Sequence, residues 1–192
     1  MDVYNWNWHD FESKCHVSEQ DTFEQYNFYT EDVNTVTVLR QFWVGSAKQG
    51  HLFSIVFERI NNLNVIRAIM GEDKYKEHRL ILPKSGAWCV QFDLAENSNN
   101  FRHVALSSRC KRELFESIAC AVYDHYNVSK SGLYCWYAAR MELVGLYDRA
   151  LGFTSAPASK QKFIPGIQKL KSQANRGKGY AILTSYYEGN NC

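Results

Sequence analysis

The chain reads as an α+β domain, a mixed and mostly antiparallel central sheet flanked by helices, and three observations lead there. Residues 33–94 are dominated by short apolar runs with period-two alternation, separated by turn signals, which is how successive strands read. After Ser107 and again after Arg140 the apolar residues switch to three- and four-residue spacing, the pattern of amphipathic helices. Between those helices, residues 133–138 are apolar or aromatic on both faces and carry no charge, as a strand buried on both sides must be.

Taken in order, residues 1–32 form an acidic, aromatic arm, expected as a helix and loop wrapping the core, and residues 33–192 form a single domain. Val36, Val38, Phe42 and Val44 alternate in a first strand over 33–44, residues 45–50 turn, and 51–58 give a second strand. Asn61 and Asn62 signal a turn, so 65–70 is expected to return as a third strand of a hairpin. A short run at 79–82 ends at Pro83; 87–94 reads as a strand, 95–100 as a polar loop, and 101–106 as a further strand. Ser107 and Ser108 offer a helix N-cap, and Leu114, Phe115, Ile118, Ala119, Val122 and Tyr126 mark a helix of about fifteen residues. The second helix, over 140–151, carries Leu143, Val144, Tyr147, Ala150 and Leu151 in one stripe and stops at Gly152. Residues 153–155 re-enter the sheet, a basic connection with Pro157 and Pro165 follows, and 180–187 closes the chain as a strand.

At 192 residues, with 45% hydrophobic and 15% aromatic content, one compact domain with a sizeable core is expected. No stretch approaches the roughly 20 apolar residues that cross a bilayer, and the first residues lack the pattern of a signal peptide, so a soluble, cytoplasmic protein with no membrane partner is expected. Six cysteines (Cys15, Cys89, Cys110, Cys120, Cys135 and Cys192) form no CxxC pair and read as reduced, small hydrophobic residues. The six histidines show no ligand spacing, so no metal is expected. Net charge is only +2, yet residues 1–32 hold eight acids against the single base Lys14. Residues 160–178 hold six bases and no acid. The two ends either neutralise each other or present an anion site and an acidic docking surface.

The order of strand, helix, Leu146-Tyr147 near the helix end and then Gly152-Phe153 resembles the last core unit of the GCN5-related N-acetyltransferases, the GNAT superfamily, over about residues 100–187. The resemblance implies a GNAT-like fold and acyl-CoA-dependent N-acyl transfer to an amine of a small molecule or protein, with acetyl-CoA or another acyl-CoA as cofactor. It implies that Tyr147 protonates the leaving thiolate. It also implies that the cofactor lies in a gap between a strand ending at Leu106 and one beginning near Leu133, its pyrophosphate on the following helix start. Leu106, Ser107, Ser108, Arg109, Lys111 and Arg112 are then the cofactor-binding residues, although this loop has no glycine. For the base that acyl transfer needs, Glu58, Asp93 and His103 are candidates, and His103 has the best position. A literal Arg-x-x-Gly-x-Ala string at Arg176, Gly179 and Ala181 reads instead as a basic turn before the last strand. The alternative is a non-catalytic interaction or inhibitor protein on a GNAT-like scaffold, meeting a protein partner through the arm with Tyr4, Trp6, Trp8 and Phe11. A third reading binds nucleic acid through residues 160–178.

Overall fold

The computed structural model describes residues 26–29, 36–45, 50–95, 104–154 and 168–188. Seven strands form one open sheet in the order β1-β2-β3-β4-β5-β7-β6. They are β1 (Tyr26–Tyr29), β2 (Val36–Val44), β3 (His51–Arg59), β4 (Ala87–Leu94), β5 (Leu133–Tyr137), β6 (Gln168–Lys171) and β7 (Gly179–Leu183). Every neighbouring pair is antiparallel except β4 with β5. The α+β class and the mostly antiparallel sheet agree with the sequence reading. Among the described residues three helices, α1 (Leu63–Glu77), α2 (Ser108–Ser129) and α3 (Met141–Leu151), flank the sheet.

One face carries Val38, Phe42, Phe53, Ile55, Phe57, Trp88, Val90 and Tyr134 into a core with Leu114 and Ala121 of α2. The other carries Ala87, Leu133, Cys135, Leu170, Ala181 and Leu183 against Ile66, Ile69 and Met70 of α1. Arg40 of β2 ties α2 down through Asp124 at 3.2 Å. On the α2 side His125 stacks on Phe57 at 4.2 Å between centroids and is hydrogen-bonded to the Tyr134 hydroxyl at 2.7 Å.

Burial, helped by the Arg40 charge, lowers the His125 pKa to about 4. The unfolded chain takes up this proton near pH 6.5 and the folded one only near 4. The stability present above pH 6.5 is therefore lost as pH falls towards 4, with a limit of about 3 kcal/mol. Urea midpoints measured from pH 7 to pH 4 should fall for the native protein and fall less for His125→Gln. Parallel curves would remove His125 as the cause.

Several expected elements change. Residues 65–70 belong to helix α1, not to a strand: Asn62 is its N-cap, its side chain accepting from the Asn64 N–H at 2.9 Å, and Ile66, Ile69 and Met70 are buried at helical spacing. The Asn pair therefore starts a helix rather than a hairpin. Residues 79–82 lie outside any strand. Tyr26–Tyr29, assigned to the wrapping arm, pairs with β2 as a strand, and residues 1–25 lie outside those described. Phe153 and Thr154 do not re-enter the sheet; their N–H groups close on the Asp148 carbonyl past Gly152, which takes φ +77°. The strand β6 arises instead inside the basic connection.

Residues 104–107 are not strand, and 101–103 lie outside the described residues. The alternation of Val104 and Leu106 records an extended segment laying alternate side chains on the α2-side core. Both edges of β4 are occupied over Trp88 and Cys89, by β3 and β5, and residues 104–107 join neither ladder.

Candidate functional site

The parallel pair β4 and β5 is in register over three rungs only, Ala87 with Leu133, Trp88 with Tyr134 and Cys89 with Cys135. Beyond the third rung β4 continues to Leu94 on β3, and β5 to Tyr137 on β7. The two strands therefore part, and the sheet opens at their C-terminal ends. The strand expected to end at Leu106 is not formed over residues 104–106, so the gap expected beside it is not there; the pairing that stops short is that of β4 with β5.

Phe92 of β4 and Trp136 of β5 stand on opposite sides of the opening, and Tyr147 of α3 bridges them. The Tyr147 ring meets Phe92 at 6.3 Å, Trp136 at 6.0 Å, Phe115 of α2 at 6.3 Å and Tyr180 of β7 at 5.3 Å, each at a steep interplanar angle. Edge-to-face pairing of this kind fixes a ring in place. Helix α3 is itself locked to the sheet edge. Lys171 reaches Asp148 at 2.6 Å, the Tyr180 hydroxyl donates to the same carboxylate at 3.0 Å, and Lys169 donates to the Leu151 carbonyl at 2.7 Å.

Burial, then the neighbouring Tyr180, pushes the Tyr147 pKa above its ordinary value, so the phenol stays protonated at neutral pH. Its hydroxyl has no hydrogen bond among the described residues. The buried indole N–H of Trp136 likewise has no partner there. Two hydrogen-bond donors thus stand in one buried aromatic cluster near the ends of β4 and β5.

Helix α2 runs antiparallel to β4 and β5. Its later residue His125 packs on Trp88 and its earlier residue Phe115 on Tyr147, so its N-terminus points to the end where the strands part. Ser107 caps that end, its hydroxyl accepting from the Cys110 N–H at 3.2 Å. The first turn contains no acid, while Arg109, Lys111 and Arg112 are exposed there. Cations at a helix N-terminus oppose the macrodipole by about 0.3–1 kcal/mol each, and a bound anion reverses the sign.

The structure thus brings Tyr147 and the α2 start to the same end of the sheet. Leu106 is half-buried on the core just before the cap, and Ser107 and Ser108 are exposed. His103 lies outside the described residues. Of the other base candidates, Glu58 is exposed on β3 opposite Cys89. Asp93, near the end of β4 and partner to Ser54 of β3, lines a cavity of about 140 Å³ with Leu39, Ser54, Val56 and Gln91.

Two features escaped the sequence reading. Trp136 carried a signal, since an indole inside a doubly buried strand needs a partner for its N–H. The basic run at 160–178 is largely structural where it is described, because Lys169 and Lys171 hold α3. The Arg176 string is a turn, as expected: Arg176 takes φ +58° in a short 3-10 turn and Gly179 begins β7.

The fold and site define a class no finer than an α+β protein with an open, mostly antiparallel sheet split between two parallel strands. No family model, curated protein or solved structure matches the chain. Among the described residues no helix is long and apolar enough to cross a membrane, and no group of three or more His, Cys, Asp or Glu could hold a metal.

Proposed function

We propose that this protein is an acyl-CoA-dependent N-acyltransferase of GNAT-like architecture, binding the cofactor in the opening between β4 and β5. The observation that carries the reading is the parallel pair released after three rungs, with a capped, cation-rich helix start and a protonated Tyr147 at the same end. Strand edges freed from pairing offer N–H and C=O groups to the amides of a pantetheine arm. Ser107, Ser108, Arg109, Lys111 and Arg112 supply hydroxyls, backbone and charge for a pyrophosphate.

In the reaction the acceptor nitrogen attacks the thioester carbonyl, the C–S bond breaks, and the sulfur leaves as thiolate. The Tyr147 phenol donates a hydrogen bond to that sulfur. A thiol ordinarily titrates near 8.5, below a phenol with a raised pKa, so stabilisation by hydrogen bonding precedes final protonation from solvent. The amine proton passes to a base, directly or through water, with Glu58, Asp93 and His103 as the candidates.

Thermal denaturation with acetyl-CoA tests the reading. Millimolar ligand is expected to raise Tm, because a ligand that binds only the native state stabilises it, and Arg109→Gln with Lys111→Gln and Arg112→Gln should reduce the shift. No shift at that concentration sinks the proposal, and the non-catalytic interaction protein replaces it.

A further inference from the structure

Cys89 and Cys135 have no disulfide or metal spacing in the sequence, yet the sheet sets them side by side. They are Cα partners on the last rung joining β4 to β5, immediately before the strands part. Neighbouring strands run about 4.8 Å apart, inside the window of about 4.4–6.8 Å between Cα atoms that a disulfide spans. Both side chains lie on the α1 face, Cys135 fully buried in that core and Cys89 packed on it with partial exposure.

The two thiols are chemically unequal. A hydrogen bond from Cys135 holds the Cys89 thiol below its ordinary value despite burial. The same bond, with burial, pushes Cys135 well above. The more acidic thiol is also the more accessible one, the arrangement of an attacking cysteine beside a resolving cysteine.

We propose that Cys89 and Cys135 form a reversible oxidation site, at which hydrogen peroxide converts the pair to a disulfide that staples β4 to β5 at the apex of the opening. The Cys89 thiolate attacks one peroxide oxygen, the O–O bond breaks, and hydroxide leaves a sulfenic acid. The Cys135 sulfur then attacks the Cys89 sulfur; the displaced hydroxide and the Cys135 proton depart as water. Two thiols and one peroxide give one disulfide and two waters, and a thiol reductant reverses the change. The site stands whether or not the opening binds acyl-CoA.

The test treats the full chain with rising hydrogen peroxide, blocks remaining thiols by alkylation and maps the peptides. A linked Cys89–Cys135 peptide, lighter by two hydrogens than its parts, is expected before Cys110 or Cys120 is oxidised, and dithiothreitol should remove it. The linked protein should melt about 5 °C higher or more. In Cys135→Ala, Cys89 should stop at the sulfenic acid and be captured by dimedone. Recovery of Cys89 and Cys135 as free thiols after Cys110 or Cys120 has reacted overturns the assignment, and this readout needs no variant. A link formed without any rise in Tm overturns the stapling role.

Discussion

Alanine at position 179 is expected to destabilise the protein by at least about 3 kcal/mol, enough to unfold many domains of this size. A Cβ built on Gly179 would lie 1.8 Å from the Ile69 carbonyl oxygen and 3.0 Å from the Ser172 Cβ. The nearest obstacle is backbone in the middle of α1, so relief requires the helix to lift from β7 and give up contacts of Ile66, Ile69 and Met70 with Ala181, Leu183 and Leu170. Urea denaturation of Gly179→Ala against the native chain measures this, and an unchanged midpoint would mean that α1 does not seat on β7 as described. The position also shows why a string resembling a phosphate loop occurs here: the glycine admits a helix backbone.

Under the proposed function, replacing Tyr147 with Phe is expected to cut the acyl-transfer kcat about 100-fold or more while leaving acyl-CoA affinity within about twofold. The change deletes a hydroxyl with no hydrogen bond among the described residues and keeps the ring that meets Phe92, Phe115, Trp136 and Tyr180. Stability should therefore hold, so a loss of rate reports chemistry rather than folding. Release of free coenzyme A thiol follows turnover, and equilibrium binding follows affinity. An unaltered rate removes Tyr147 from the mechanism, whereas a wild-type chain that binds acyl-CoA but never turns it over removes the transfer reaction itself.

Helices α2 and α3 were legible because their signals are local. Ser107 caps one, Gly152 stops the other, and the apolar spacing between those marks needs no knowledge of partners. Strand β5 was legible because a charge-free apolar run favours burial, which the structure shows over Leu133, Tyr134 and Cys135 while Tyr137 is exposed. Helix α1 was misread because Val65, Ile66, Ile69 and Met70 make an apolar run too short to reveal its period, and Gly71, at φ +76°, interrupts the pattern. Strand β6 was hidden by its lysines, which suit an edge strand and spend their charge on Asp148 and the end of α3.

Tyr147 could be singled out from the chain because helix stripe and glycine stop are neighbours in sequence. Its surroundings could not. Phe92, Phe115, Trp136 and Tyr180 come from four different elements, and nothing local says they converge. Residue order was thus enough for the class of the fold and for two of the three described helices. Where β4 leaves β5, which cysteines meet on the final rung, and which glycine must admit a helix depended on folding in three dimensions. Those outcomes rest on strand register and helix seating, contacts between residues far apart along the chain, which no local period or cap encodes.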